Sequence, residues 1–185
     1  MQKVALLCGS LRKDSYNKAL LEFVKANFGK EIDMFFVDYS QLPYFNEDIE
    51  TPYPTEVRAM LDTLQDIDAV VMSMPEYNHS IPGAFKNALD WLSRREKPLA
   101  GKPVLLMGAS TGPVGTSRGQ NHLRLSLNAP GMQCLVMPGN EILVGAAKSK
   151  FENGQLTDES TIEFIGNVWK KFEKWVKIAP KWMEE

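Results

Sequence analysis

Residues 4–17 read Val-Ala-Leu-Leu-Cys-Gly-Ser-Leu-Arg-Lys-Asp-Ser-Tyr-Asn. The apolar run at 4–8 has the length and composition of a buried strand, predicted over 3–8. From residue 16 the pattern changes period. Leu20, Leu21, Val24 and Phe28 fall on one helical face, which predicts a helix over 16–28 that stops at Gly29. The hydroxyl-rich loop at 9–17 therefore joins a buried strand to a helix N-terminus. Unpaired N–H groups and the helix dipole favour an anion there. Ser10, Ser15 and Asn17 add side-chain donors, and Arg12 adds a full charge in fork geometry. Ser15 also suits the N-cap, a role compatible with contact to a phosphate. The loop has neither a P-loop ending nor Gly-x-Gly-x-x-Gly.

The same alternation continues outward. Strands are predicted at 32–37, 69–74, 103–109 and 133–137. Between them, Val57, Met60, Leu61 and Leu64 mark a second helix. Pro82 opens a third, with Phe85, Ala88, Leu89 and Leu92 inward, and a fourth spans about 118–127. Residues 69–74, Ala-Val-Val-Met-Ser-Met, are apolar throughout, as in a parallel strand covered on both faces. The last helix has Asp158 and Glu159 in its first turn, an apolar stripe from Ile162 to Val176, and Pro180 as its end. Its aromatics Trp169, Phe172 and Trp175 read as core packing. The fold class is α/β, a flavodoxin-like doubly wound sheet of five parallel strands in the order 2-1-3-4-5 with helices on both faces. At 185 residues the chain fits one domain, 1–185. Residues 39–54 resist the alternation. This loop is long and rich in proline and aromatics, as functional loops and packed excursions both are.

Composition narrows the partners. A net charge of −2 argues against nucleic acid as a partner. No apolar run reaches the length of a membrane span. The first strand begins within three residues of the N-terminus, which leaves no room for a signal peptide, so a cytoplasmic protein is expected. Cys8 and Cys134 both sit in apolar runs and read as buried, inert thiols. The two histidines lack metal-ligand spacing.

In an open parallel sheet, ligands bind beyond the carboxyl ends of the strands, where the strand order reverses. For the order 2-1-3-4-5, three loops converge there: 9–17, 75–83 and 108–119. The first has the charge for a phosphate. The second, Pro-Glu-Tyr-Asn-His-Ser-Ile-Pro-Gly, is stiffened by two prolines and can offer backbone groups to the edge of a flat heterocycle. The third has glycines that let main chain approach closely, with Ser110 and Thr111 as donors. A phosphate, a polar tether and a planar ring would fill this crevice, and flavin mononucleotide (FMN) has that shape. Glu76 has no partner evident in the sequence to tune its carboxyl, so its backbone is expected to act. His79 reads as a packing or hydrogen-bonding residue, and His122 as structural.

The loops at 9–17 and 75–91, with Leu-Pro-Tyr-Phe-Asn-Glu-Asp at 42–48, resemble the NADPH-dependent FMN reductase family, in its quinone, chromate and azo-dye reductase group. The resemblance covers nearly the whole chain. It implies that Ser10, Arg12, Ser15, Tyr16 and Asn17 hold the FMN phosphate. Pro75, Glu76, Tyr77, Asn78 and Ser80 would line the ribityl chain and ring. Ser110, with Gly112 and Gly115, would close the third side. It also implies a homodimer or a homotetramer, with the helix carrying Lys86, Asn87, Asp90 and Trp91 at an interface. Asn121 stands where tetrameric relatives often carry a tyrosine.

The expected activity is hydride transfer from NADPH or NADH through FMN to a small-molecule acceptor: a quinone, azo dye, nitro compound, metal oxyanion or free flavin. No catalytic acid or base is required of the protein. The alternative is a flavodoxin-type electron carrier without a substrate of its own, although such carriers tend to be strongly acidic.

Overall fold

The structure is a computed structural model that describes residues 2–183. Strand β1 (Gln2–Cys8) lies between β2 (Ile32–Phe36) and β3 (Ala69–Ser73), and β4 (Pro103–Ala109) lies beyond β3. Every pairing in this sheet is parallel. The order is 2-1-3-4-5, as the alternation predicts.

The fifth position differs from expectation. It is filled by two short strands end to end along one edge of β4. β5 (Leu135–Val136) pairs with the start of β4 at Pro103 and Val104, and β6 (Ile142–Val144) pairs with its end at Met107–Ala109. Pro138 and Gly139, the latter at φ +68°, turn the chain out of the ladder between them. The sheet thus has six strands in five positions.

Side-chain alternation explains why the strands are apolar throughout. Ala5, Leu7, Val70, Met72, Val104 and Leu106 point into one core, with α2 (Thr55–Thr63), α3 (Gly83–Leu92) and α4 (Ser117–Leu127). Val4, Leu6, Ala69, Val71, Leu105 and Met107 point into the other, with α1 (Tyr16–Phe28) and α5 (Glu159–Ile178). Trp169 packs there between Phe28, stacked at 4.8 Å, and Phe172. Asp158 caps α5 by accepting the Thr161 N–H at 2.9 Å.

An unexpected hairpin, β7 (Phe151–Glu152) and β8 (Gln155–Leu156), lies over α1. Asn153 and Gly154 turn it, at φ +49° and +78°. That is the Asn-Gly pair favoured in two-residue hairpin turns.

The 39–54 loop is a packed strap. Trp91 and Asn87 of α3 both donate to the Pro43 carbonyl at 2.9 Å, and Asn87 accepts the Phe45 N–H at 2.7 Å. Arg94 pairs with Glu50 at 3.0 Å. Asn87 and Trp91 are therefore turned toward the strap rather than available at an interface, and Trp91 is fully buried. Lys86 and Asp90 pair with each other on the exposed side of α3. Tyr39 reaches from the start of the strap to donate to the Cys8 carbonyl at 2.6 Å, bracing the end of β1.

Candidate functional site

β1, β3 and β4 end side by side at Cys8, Ser73 and Ala109, so the loops that follow them share one edge of the sheet. Between these loops lies a cavity of about 340 Å³, lined by Ser10, Arg12, Ser15, Tyr16, Asn17, Pro75, Glu76, Tyr77, Ala109, Ser110 and Thr111. Nine of these eleven are candidate site residues from the sequence, and Ala109 and Thr111 complete the lining. Asn78, Ser80, Gly112 and Gly115 stand just outside it.

The anion end is built by the first turn of α1. Ser15 is its N-cap and accepts the Lys18 N–H at 3.4 Å, while Ala19 N–H goes to the Ser15 carbonyl. The N–H groups of Tyr16 and Asn17 find no partner among the described residues. They are the donors a helix start leaves over. Ser10 accepts the Arg12 N–H through its hydroxyl oxygen at 3.3 Å, which leaves its O–H proton to donate. The exposed Arg12 guanidinium lies 5.5 Å from the centre of the Tyr16 ring and pairs with no carboxylate among the described residues.

Asn17 departs from its expected role. Its side chain is 3 % exposed and committed to protein. It donates to the Ala109 carbonyl at 3.0 Å and accepts the Ala109 N–H at 2.8 Å and the Ser73 hydroxyl at 3.0 Å. The carboxamide stands in for a neighbouring strand where β3 has left the ladder. It ties the N-terminus of α1 to the ends of β3 and β4. Only the Asn17 backbone N–H remains to face an anion.

The opposite end of the cavity is equally fixed. Tyr77 and Ser80 exchange two backbone hydrogen bonds, at 3.1 and 3.0 Å, around Asn78 and His79 at φ +51° and +60°. This tight turn leaves Tyr77 half-exposed at the rim. Ser80 Oγ lies 3.0 Å from His122 Nδ1 on α4. Ser110 donates its N–H to Val144, accepts the Gly112 N–H through Oγ at 3.1 Å, and accepts the Ala147 N–H at its carbonyl. Gly115 sits at φ +63°, where any Cβ would press within 3.1 Å of Leu143.

Glu76 does have a partner, contrary to the expectation from sequence. Its side chain is 8 % exposed, accepts the Gly119 N–H at 2.9 Å and lies 3.4 Å from Arg118. It caps α4 from another loop and joins the 75–83 and 108–119 loops. Burial pushes its carboxyl up, but the Gly119 N–H and then Arg118 outweigh this and hold it below the ordinary 4.5. The pairing of opposite charges in two converging loops was the available sequence signal. Because the folded value is lowered, this support is fully present above about pH 4.5 and fades as pH falls through the lowered value. Glu76→Gln should therefore flatten the acid side of the curve of melting temperature against pH. Parallel curves for the two proteins would show that the pairing contributes nothing.

Both thiols lie outside this lining and are unpaired. Burial raises Cys134 to about 12 and also raises Cys8, which is only partly buried. Both shifts run against thiolate formation, as in inert side chains.

A flavin phosphate fits the spare N–H groups and unpaired Arg12, and a flat ring fits the backbone-lined end. Together the sheet order and this cavity define the class: a flavodoxin-like α/β protein with an open crevice at the carboxyl ends of its strands. Residues 2–149 match the model of the family described as NADPH-dependent FMN reductase. The chain belongs to that family. It is 35 % identical over 178 residues to an NAD(P)H-dependent FMN reductase of Pseudomonas aeruginosa, covering 95 % of each chain. It is 34 % identical over 182 residues to a quinone reductase of Escherichia coli, again covering 95 % of each. The solved structure of FerB, a flavoenzyme NAD(P)H:(acceptor) oxidoreductase from Paracoccus denitrificans, superposes with a TM-score of 0.85 at 30 % identity, covering 96 % of this chain and 98 % of that one.

Proposed function

We propose that this chain is an FMN-dependent oxidoreductase that moves a hydride from NADPH or NADH to a small acceptor, with quinones first among the candidates. The observation that carries this reading is the three-loop cavity, with a charged N–H-rich end and a flat backbone-lined end. When bound, FMN supplies the redox chemistry, accepting a hydride and passing electrons on.

The protein's part is to bind and orient. Ser10, Arg12, Ser15 and the backbone N–H groups of Tyr16 and Asn17 hold the phosphate. The 75–80 turn and the 109–112 segment present main chain to the ribityl chain and ring, where donors favour negative charge as it develops. Gly112 and Gly115 shape the third side. Tyr77 and His79 stand at the rim, where an acceptor would enter. Azo dyes, nitro compounds, metal oxyanions and free flavin fit the same opening. The proposed setting is the cytoplasm, and the proposed assembly a homodimer. No described helix is long and apolar enough to cross a membrane.

The FMN-loaded protein should oxidise NADPH or NADH continuously when a benzoquinone is supplied, in a steady-state absorbance assay. A protein that holds FMN but oxidises neither nucleotide would be an electron carrier instead.

A further inference from the structure

Helix α4 meets the 75–83 loop along one face. Gly119 and His122 are three positions apart on that helix, and Arg118 and His122 four, so the three are neighbours there. Arg118 and the Gly119 N–H hold Glu76, at 3.4 and 2.9 Å. Gly119 lacks a side chain where the loop comes closest. A Cβ there would lie 2.8 Å from the Met74 methyl and 3.3 Å from the Ser80 carbonyl oxygen. Glycine inside a helix is less stable than alanine, and this close approach explains its presence. One turn further on, His122 Nδ1 lies 3.0 Å from Ser80 Oγ. That bond forms in either ring tautomer, because a hydroxyl both donates and accepts.

The segment held in this way is strained. Asn78 and His79 are the two central residues of the Tyr77–Ser80 turn, and both lie at positive φ. Asparagine followed by glycine is the pair such a turn favours. Here histidine stands in the place of glycine, with a Cβ in the disfavoured left-handed region. A conformation of this kind persists when its surroundings hold it. The two backbone bonds of the turn join Tyr77 to Ser80 only. Among the described residues, the Ser80–His122 bond is the hydrogen bond that ties residues 77–80 to another element. Tyr77 lines the three-loop cavity, and His122 does not.

We infer that His122 is a positioning residue for this cavity. Through Ser80 it fixes the 77–80 turn, and the turn fixes Tyr77 at the mouth where the acceptor meets the flavin. The inference rests on the flavin reading of the three-loop cavity. Loss of His122 frees the turn but leaves the anion end alone, because Ser10, Arg12 and Ser15 belong to the 9–17 loop. Acceptor binding therefore suffers, while cofactor binding does not.

The test compares the wild type, His122→Leu and His122→Asn, each loaded with FMN. Steady-state oxidation of NADPH or NADH with a benzoquinone gives KM and kcat, and hydrogen exchange follows the backbone of residues 75–81. Asparagine places a polar atom where His122 has Nδ1, so it keeps a partner for Ser80. His122→Leu should raise KM for the quinone roughly three- to tenfold, the range of one lost neutral hydrogen bond, with kcat and FMN affinity unchanged. Exchange at the Tyr77 and Ser80 N–H groups should quicken in the same variant. His122→Asn should restore both. A quinone KM or an exchange rate in His122→Leu that matches the wild type would overturn the inference, as would a change that His122→Asn leaves uncorrected. So would a joint fall in kcat, FMN affinity and melting temperature, which would make His122 a support of the fold at large. A wild type that takes up no FMN would instead overturn the flavin reading itself.

Discussion

Asn17→Leu should lower the unfolding midpoint by about 10 °C or more and loosen flavin binding with it. Leucine is close in size to asparagine, so the effect is polar rather than steric. The substitution strands three buried groups at once: the Ala109 N–H, the Ala109 carbonyl and the Ser73 hydroxyl. At about 1–3 kcal/mol for each group left unsatisfied, the loss is on the order of 3–9 kcal/mol, a large share of a typical domain's stability. The flavin effect follows from position. Without the amide, the N-terminus of α1 is no longer tied to the end of β4, and the phosphate donors can shift relative to Ser110. Asn17→Asp keeps both accepting bonds and should lose less. A melting curve for Asn17→Leu that overlays the wild type would show that water replaces the amide at no cost.

Arg12→Ala should act on binding alone. The side chain is exposed, is unpaired among the described residues, and stacks only on Tyr16, so its removal leaves the fold intact. A charge-assisted bond to a phosphate is worth about 1.5–3 kcal/mol, which corresponds to roughly ten- to a hundredfold in FMN affinity. Riboflavin, which lacks the phosphate, should bind both proteins equally. Arg12→Lys keeps the charge but not the planar fork and should fall between. FMN affinity unchanged in Arg12→Ala would remove Arg12 from the site.

The sequence carries most of the sheet because its strands are covered on both sides. Runs such as 69–74 are apolar without interruption, and each is separated from the next by a helical period. The order 2-1-3-4-5 and the convergence of three loops then follow from fold-level rules. β6 escapes notice because Ile142-Leu-Val is only three residues long and follows a break at Pro138 and Gly139. The β7–β8 hairpin was readable from Asn153-Gly154, but its strands are two residues each, too short to show alternation.

At the site, residue choice was legible and residue role was not. Asn17 sits in a polar loop and reads as a ligand, yet its carboxamide serves Ala109, 92 positions away. Glu76 reads as unpartnered because Arg118 and the start of α4 are 42 and 43 positions on. Both bonds arise only when the sheet aligns the ends of its strands. The strap at 39–54 shows the same limit. Its aromatics suggest a functional loop, while the structure spends Phe45 and Tyr53 on Trp91.

Whether the three-loop cavity holds FMN is decided by the visible absorption spectrum of the purified protein. An oxidised flavin spectrum is expected, either as isolated or after added FMN, that bleaches on adding NADPH or NADH without oxygen, with FMN released when the protein is denatured. A colourless protein that takes up no FMN would contradict it.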